Sequence, residues 1–134
     1  MVTQVNGIDH VNIISGNLDA TAHFYERLLG LRPAATRDAS DTFSRGWLYD
    51  SHNRPILHLR AYNAERDGIP DRKSLPTGSI DHVALACSDF TATLQRCEEM
   101  ELAIRVNDQK YGKLRQIFLH DPNNVLLELN FGEE

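Results

Sequence analysis

The chain has 134 residues, of which 41% are hydrophobic and 25% are charged, and its formal net charge is −5. This length allows one compact domain, and this composition is that of a globular protein, which excludes a disordered or fibrous chain. The negative charge offers no basic surface for nucleic acid or anionic membrane, and no apolar run approaches the roughly 20 residues that span a bilayer. We therefore expect a small-molecule partner and, because the first residues lack a signal-peptide pattern, a cytoplasmic location.

The amino-terminal segment of the chain is repeated. The sequence GIDHV at 7–11 returns 72 residues later as SIDHV at 79–83. In both copies the motif opens a β-branched, alternating segment, at 8–14 and at 80–86, which is typical of a strand. A repeat at a fixed offset indicates two copies of one structural module.

Each predicted strand leads into an amphipathic helix. Asn17 is suited to cap the first helix, which is predicted over 18–29 and ends at Gly30. The second helix carries an apolar stripe at helical spacing, formed by Phe90, Leu94 and Cys97. Both stripes are expected to face a sheet.

Short strands separated by turn-forming residues follow each helix. The predicted strands are 42–49, 56–62, 114–119 and 125–131. The segment 63–78 contains two prolines and two glycines without an apolar period, so it is predicted to be a linker. Together the elements predict a single α+β domain of two βαβββ modules, 1–62 and 79–134. Their sheets would form a cupped, half-open mixed β-barrel with the helices outside.

Four ionisable side chains occupy equivalent places in the two modules. His10 and His82 lie on the predicted first strands, and His58 and Glu128 lie on the last strands. Because residues two apart share a face of a strand, and Val11 is expected to face the helix, all four are predicted to line the cup.

A carboxylate and several imidazoles in one cup are costly to bury without a compensating cation. Two histidines and one carboxylate form the facial triad of non-haem Fe(II), although Mn, Zn, Ni and Co accept similar ligands. We therefore predict one divalent metal, with Fe(II) favoured, bound by His10, His82 and Glu128. His58 is either a fourth ligand or an acid-base group.

At these residues the chain resembles the vicinal oxygen chelate superfamily, which includes glyoxalase, bleomycin-resistance and extradiol-dioxygenase proteins. The resemblance covers nearly the whole chain. It rests on IDHV at 8–11 and 80–83, HFYERLLGL at 23–31, FLHDPNN at 118–124 and LEL at 127–129. It implies metal ligands on the first and last strands, at positions that match His10, His58, His82 and Glu128. The glycine usual before the last strand is Asn124 here, which also tolerates left-handed backbone.

The resemblance leaves the reaction open. Glyoxalase I and methylmalonyl-CoA epimerase usually have Glu or Gln where this chain has His58, whereas extradiol dioxygenases have a catalytic histidine in that region. The tyrosine that extradiol enzymes carry ten residues before the glutamate is Phe118 here. An extradiol-type dioxygenase, in which His58 and Glu128 are the catalytic residues, is slightly favoured over a glyoxalase I-like lyase or isomerase that transfers protons. A metal-free drug-binding protein is the alternative from another class.

Further residues are candidates for holding a small anionic substrate. They are Asn12, Arg45, Arg60 and Arg115. Because half-barrels with exposed edge strands gain from pairing, a homodimer is also expected. Whether a complete site would lie within one chain or between two copies is left open by the sequence.

Overall fold

The computed structural model describes residues 2–33, 46–68, 77–108 and 114–132. The first module contains β1 (Val11–Ser15), α1 (Leu18–Leu29), β2 (Arg32–Pro33), β3 (Trp47–Tyr49) and β4 (Pro55–Ala61). A short helix, α2 (Ala64–Asp67), follows it. The second module contains β5 (Val83–Cys87), α3 (Phe90–Glu99), β6 (Arg105–Asp108), β7 (Arg115–His120) and β8 (Leu126–Phe131).

The two modules form two sheets of the same topology. Their strand orders are β1-β4-β3-β2 and β5-β8-β7-β6. In each sheet the first and last strands of the module pair in parallel and the remaining pairs are antiparallel. This confirms the predicted α+β fold of two βαβββ modules, and the described strands do not close into a complete barrel. In the described part of the chain, none of the helices has the length and apolarity needed to cross a membrane.

The predicted helix ends are confirmed in the first module. The Asn17 side chain accepts the backbone N–H of Ala20, which is one of the amides left unpaired at a helix start. Gly30 closes α1 in the left-handed conformation, with φ of 66°. Asn124, in the turn before β8, also adopts a left-handed conformation, with φ of 65°. Asn124 therefore adopts the left-handed backbone expected at this turn.

The first strand of each module begins later than predicted. β1 starts at Val11 and β5 at Val83, so that His10 and His82 each lie one residue before a strand. The parallel ladders to β4 and β8 begin at the pairs Val11–Leu57 and Val83–Leu127, and within the described ranges residues 8–10 and 80–82 pair with no strand. As a result Ile8 and Ile80 are 92% and 67% exposed.

Part of the predicted linker is helical. The Asn63 side chain accepts the backbone N–H groups of Glu65 and Arg66 and so caps α2, and Gly68 ends the helix with φ of 75°. The predicted linker 63–78 thus begins with a short helix, and its residues 69–76 lie outside the described residues. Of the predicted strand 42–49, residues 47–49 form β3, and 42–45 lie outside the described residues.

The core lies on the helix-covered face of each sheet. It contains Leu57 and Leu59 of β4, Leu127 and Leu129 of β8, and the buried stripe of α1. The alternate residues of these strands are only partly buried and lie on the opposite face, which we call the open face. The open face carries His58 and Glu128, as predicted from the alternation.

A buried hydrogen bond joins the two modules. Tyr25 of α1 donates its hydroxyl to Asp121 Oδ2 at 2.7 Å, and the other carboxylate oxygen accepts the backbone N–H groups of Asn123 and Val125. Burial, followed by the charge of Asp121, raises the pKa of Tyr25 well above its usual value. The tyrosine therefore stays protonated as the donor that links α1 to the β7–β8 turn.

We predict that Tyr25→Phe lowers the free energy of unfolding by about 1.5–3 kcal/mol, the range for a hydrogen bond to a charged group. The reason is that Asp121, which is 5% exposed, would lose its side-chain donor. Urea denaturation measures the change. Tyr62→Phe is the matched control, because the buried Tyr62 hydroxyl has no partner among the described residues. Equal stability losses in the two variants would contradict the prediction.

Candidate metal centre

His10 and His82 are held in the same way. Nδ1 of His10 lies 2.6 Å from Asp9 Oδ1, and Nδ1 of His82 lies 2.8 Å from Asp81 Oδ2. An ionised carboxylate only accepts hydrogen bonds, so Nδ1 carries the proton in both histidines. Each Nε2 then keeps a lone pair, and a carboxylate bound to Nδ1 is the usual outer partner of a metal-ligating histidine.

His82 and Glu128 form one half of the candidate site. His82 Nε2 lies 3.8 Å from Glu128 Oε2. The hydrogen bond that His82 donates to Asp81, with the charges of Glu128 and Asp81, raises the pKa of His82 against the opposing effect of desolvation. Two ligand atoms bound to one metal at about 2.0–2.2 Å lie roughly 3–3.5 Å apart. A small rotation of either side chain would therefore bring His82 Nε2 and Glu128 Oε2 into the coordination shell of one ion. The residues therefore fit a divalent ion.

His58 occupies a different environment. Asn12 Nδ2 lies 3.3 Å from His58 Nδ1, and the ring of Trp47 stacks on the imidazole with centroids 4.3 Å apart. Partial burial, then the neighbouring His10 and Arg60, lowers the pKa of His58. The neutral imidazole is favoured, and with Nδ1 accepting from Asn12 its proton lies on Nε2.

On the open face, both modules place an aromatic residue of the neighbouring strand opposite the candidate residue of the last strand. Trp47 of β3 lies directly opposite His58, and Phe118 of β7 lies directly opposite Glu128. The Trp47 and His10 rings also pack in a T-shaped arrangement, with their centroids 4.7 Å apart. Each candidate residue of a last strand therefore has an aromatic residue opposite it, and Trp47 stacks on the His58 ring.

The four predicted residues come together as two pairs. His10 and His58 have ring centroids 6.3 Å apart, and His82 contacts Glu128. Among the residues that the structure describes, no three His, Cys, Asp or Glu side chains of one chain are arranged to hold a metal. The complete ligand set of His10, His82 and Glu128 thus stays a prediction.

The predicted substrate-binding residues have different surroundings. Asn12 contacts His58, whereas Arg60 donates from Nη2 to Asp67 at 3.0 Å and has a buried Nη1 without a partner among the described residues. The Arg115 guanidinium lies over the Phe90 ring, 4.9 Å from its centroid, on the face that α3 covers. This placement does not support a role beside Glu128. Arg45 lies outside the described residues.

Two kinds of residue at the candidate site were missed by the sequence reasoning. Asp9 and Asp81 hold the two histidines, and their signal was present because the Asp-His pair recurs in the repeat. Trp47 was missed because segment 42–49 has no strict alternation to show which face it occupies.

Comparison with known proteins identifies the family of the chain and curated relatives. Residues 7–129 match the model of the glyoxalase/bleomycin resistance protein/dioxygenase superfamily. The chain is 26% identical over 127 residues to "Glyoxylase I 4" of Arabidopsis thaliana, covering 93% of this chain and 70% of the relative.

Solved structures with the same fold include fosfomycin resistance proteins. FosX from Listeria monocytogenes has a TM-score of 0.69 at 15% identity, covering 96% of this chain and 95% of FosX. A point mutant of the same protein, in complex with Mn(II) and 1S,2S-dihydroxypropylphosphonic acid, has a TM-score of 0.69 at 16% identity, with 96% and 92% covered. FosX from Mesorhizobium loti has a TM-score of 0.68 at 18% identity, with 96% and 94% covered.

Proposed function

The chain belongs to the glyoxalase/bleomycin resistance protein/dioxygenase superfamily, and on this basis we propose that it is a metal-dependent enzyme acting on a small substrate with two neighbouring oxygen atoms. His10, His82 and Glu128 would hold the metal. The observation that carries this proposal is the pair of matching Asp-His contacts, which leave Nε2 of both histidines free. The Mn(II) complex of FosX supports a divalent ion in a protein of this fold. The sequence favours Fe(II), and of the alternatives Mn, Zn, Ni and Co the FosX complex supports Mn(II).

The residues of the chain would divide the work of proton transfer. A divalent ion at these ligands would act as a Lewis acid towards a substrate oxygen. The lone pair of the neutral His58 ring lies on Nδ1, so Nδ1 would take up a proton from the substrate as its hydrogen bond from Asn12 breaks, and would return that proton at another substrate atom. Trp47 would keep the His58 ring in one plane by stacking on it, and the Asn12 amide would fix its tautomer.

We place proton transfer, as in a glyoxalase-type lyase or isomerase, before ring cleavage. The curated relative is named as a glyoxalase, and Phe118 supplies no hydroxyl opposite Glu128. Instead the Arg105 guanidinium covers the Phe118 ring at 4.2 Å. The extradiol dioxygenase, favoured by a small margin from the sequence, remains the second candidate. The Asn12 contact supports the dioxygenase, because a His58 that is hydrogen-bonded through Nδ1 and protonated at Nε2 is not a metal ligand. A six-coordinate metal with three protein ligands then has three open positions.

We further propose that a complete site is shared between two copies of the chain. Each described chain offers two half-sites, with His10 on one sheet and His82 with Glu128 on the other. β1 and β5 are the outer strands of their sheets, and the exposed Ile8 and Ile80 lie beside them. A homodimer that pairs β1 of one copy with β5 of the other would cover both isoleucines and close the ligand set.

Mixing two defective variants tests the shared site. We expect His10→Ala and His82→Ala each to bind little metal alone. After the two are unfolded together and refolded as a 1:1 mixture, half of the dimers are mixed and each has one intact site, so metal content should return to about a quarter of the wild-type value. Metal analysis after gel filtration measures it. If the refolded mixture has the mass of a dimer but its metal content does not recover, the site lies within one chain. A mass that stays that of a monomer would refute the dimer.

A further inference from the structure

A row of three amide side chains crosses the second sheet and ends at Glu128. Asn107 of β6, Gln116 of β7 and Asn130 of β8 are directly opposite one another in register. Asn107 donates to Gln116 at 2.8 Å, Gln116 donates to Asn130 at 2.9 Å, and Asn130 donates to Glu128 Oε2 at 3.0 Å. We call these three residues the amide relay.

The carboxylate sets the direction of the whole amide relay. An ionised Glu128 only accepts hydrogen bonds, so Asn130 must turn its NH2 group towards Oε2 and its carbonyl away. That carbonyl accepts from Gln116, whose own carbonyl in turn accepts from Asn107. Each amide thereby has a single satisfied orientation, fixed by the hydrogen-bond network.

The other neighbours of Glu128 on adjacent strands are apolar. Ala84 of β5 and Phe118 of β7 lie opposite Glu128, and Ala86 lies opposite Asn130. None of these side chains donates a hydrogen bond, and the two alanines leave room beside the carboxylate. In the described part of the chain, Asn130 is therefore the side-chain donor that orients Glu128, with His82 Nε2 farther away at 3.8 Å.

We infer that the amide relay positions Glu128 as a metal ligand and thereby sets the affinity of the site, although none of its members needs to touch the ion. This inference rests on the proposed function. The Asn130 hydrogen bond restricts the carboxylate rotamer, and Gln116 keeps Asn130 from turning its acceptor towards Glu128. Asn130 and Gln116 are positioning residues, because they act through Glu128.

Metal titration of a graded series of variants tests the amide relay. Asn130→Leu removes the donor and should weaken Co(II) or Mn(II) binding by about 10- to 100-fold, the usual cost of losing an outer partner of a ligand. Gln116→Met keeps the length of the side chain but has no N–H to donate and only a weakly accepting sulfur, and its loss of affinity should fall near the lower end of that range. Asn107→Leu, at the far end, should have the smallest effect. Calorimetric titration of the refolded full chain gives the three dissociation constants.

The matched control is Gln95→Met on α3, which removes an amide hydrogen bond to Glu99 far from the relay. Its metal affinity should equal that of the wild type. Thermal unfolding of the metal-free variants is the second readout. If the residues act by positioning Glu128, the variants that lose the most metal affinity need not be those that lose the most in Tm. Unchanged affinity in both Asn130→Leu and Gln116→Met, or equal weakening in Gln95→Met, would overturn the inference.

A metal-independent measurement separates this inference from the proposed function. In the metal-free protein, Glu128→Ala frees the direction of the amide relay and should shift the side-chain NH2 resonances of Asn130, Gln116 and Asn107 in nitrogen-proton correlation spectra. Unmoved Gln116 and Asn107 resonances would refute the relay even if the wild type binds metal. A wild type that takes up none of Co, Mn, Fe, Ni or Zn would instead refute the metal site, together with the role of the relay in metal affinity.

Discussion

Alanine at His82 or Glu128 is expected to weaken metal binding by more than about 100-fold, beyond the roughly 10- to 100-fold that changes to outer partners cost. The two residues lie 3.8 Å apart and form the more complete half of the site. His10→Ala should cause a similar loss, because its Nε2 would be the remaining protein nitrogen of the ligand set. Metal content after dialysis and titration with Co(II) or Ni(II) both measure the effect.

The chain contains a single tryptophan, so its fluorescence can report metal binding during the titration. Trp47 contacts the rings of both His10 and His58, so an open-shell ion at His10 should quench its fluorescence. His23→Ala, an exposed histidine of α1, is the control and should leave quenching unchanged. A wild type that neither retains nor takes up a divalent metal would contradict the ligand assignment and favour the drug-binding alternative.

The fold was predictable because the signals that define it are local or repeated. The 72-residue repeat indicated the modules, and Asn17 and Gly30 indicated the bounds of α1. The starts of β1 and β5 depend instead on their pairing with β4 and β8, which is long-range information. The two-residue strand β2 is too short to show a period at all.

The candidate site was predictable where alternation decides which way a side chain points. His58 and Glu128 lie on the open face because their neighbours on the strand are leucines of the core. The amide relay was out of reach, since it depends on the register of β6, β7 and β8 rather than on any one segment. The module symmetry predicted four residues in one cup, whereas the described contacts join them two by two.

His58→Ala is expected to keep the metal and to lower the rate of proton transfer by about 10²- to 10⁴-fold, the usual contribution of a positioned acid-base group. His58 is suited to this role because its pKa is lowered by partial burial and by His10 and Arg60, which leaves a neutral base. Its hydrogen bond comes from the Asn12 amide, whereas carboxylates hold His10 and His82. His58 therefore lacks the outer partner that marks the predicted ligands.

Deuterium exchange distinguishes the reaction classes for this variant. The wild type should exchange the hydrogen next to the carbonyl of a suitable α-hydroxycarbonyl compound with solvent deuterium, which proton NMR detects, and His58→Ala should lose this exchange at unchanged metal content. His52→Ala, in the exposed turn before β4, should behave like the wild type. Oxygen consumption with catechols that disappears in His58→Ala, without any exchange in the wild type, would instead establish the dioxygenase. Metal affinity that falls as far as in His82→Ala would make His58 a fourth ligand, since losing an acid-base group alone leaves the metal in place.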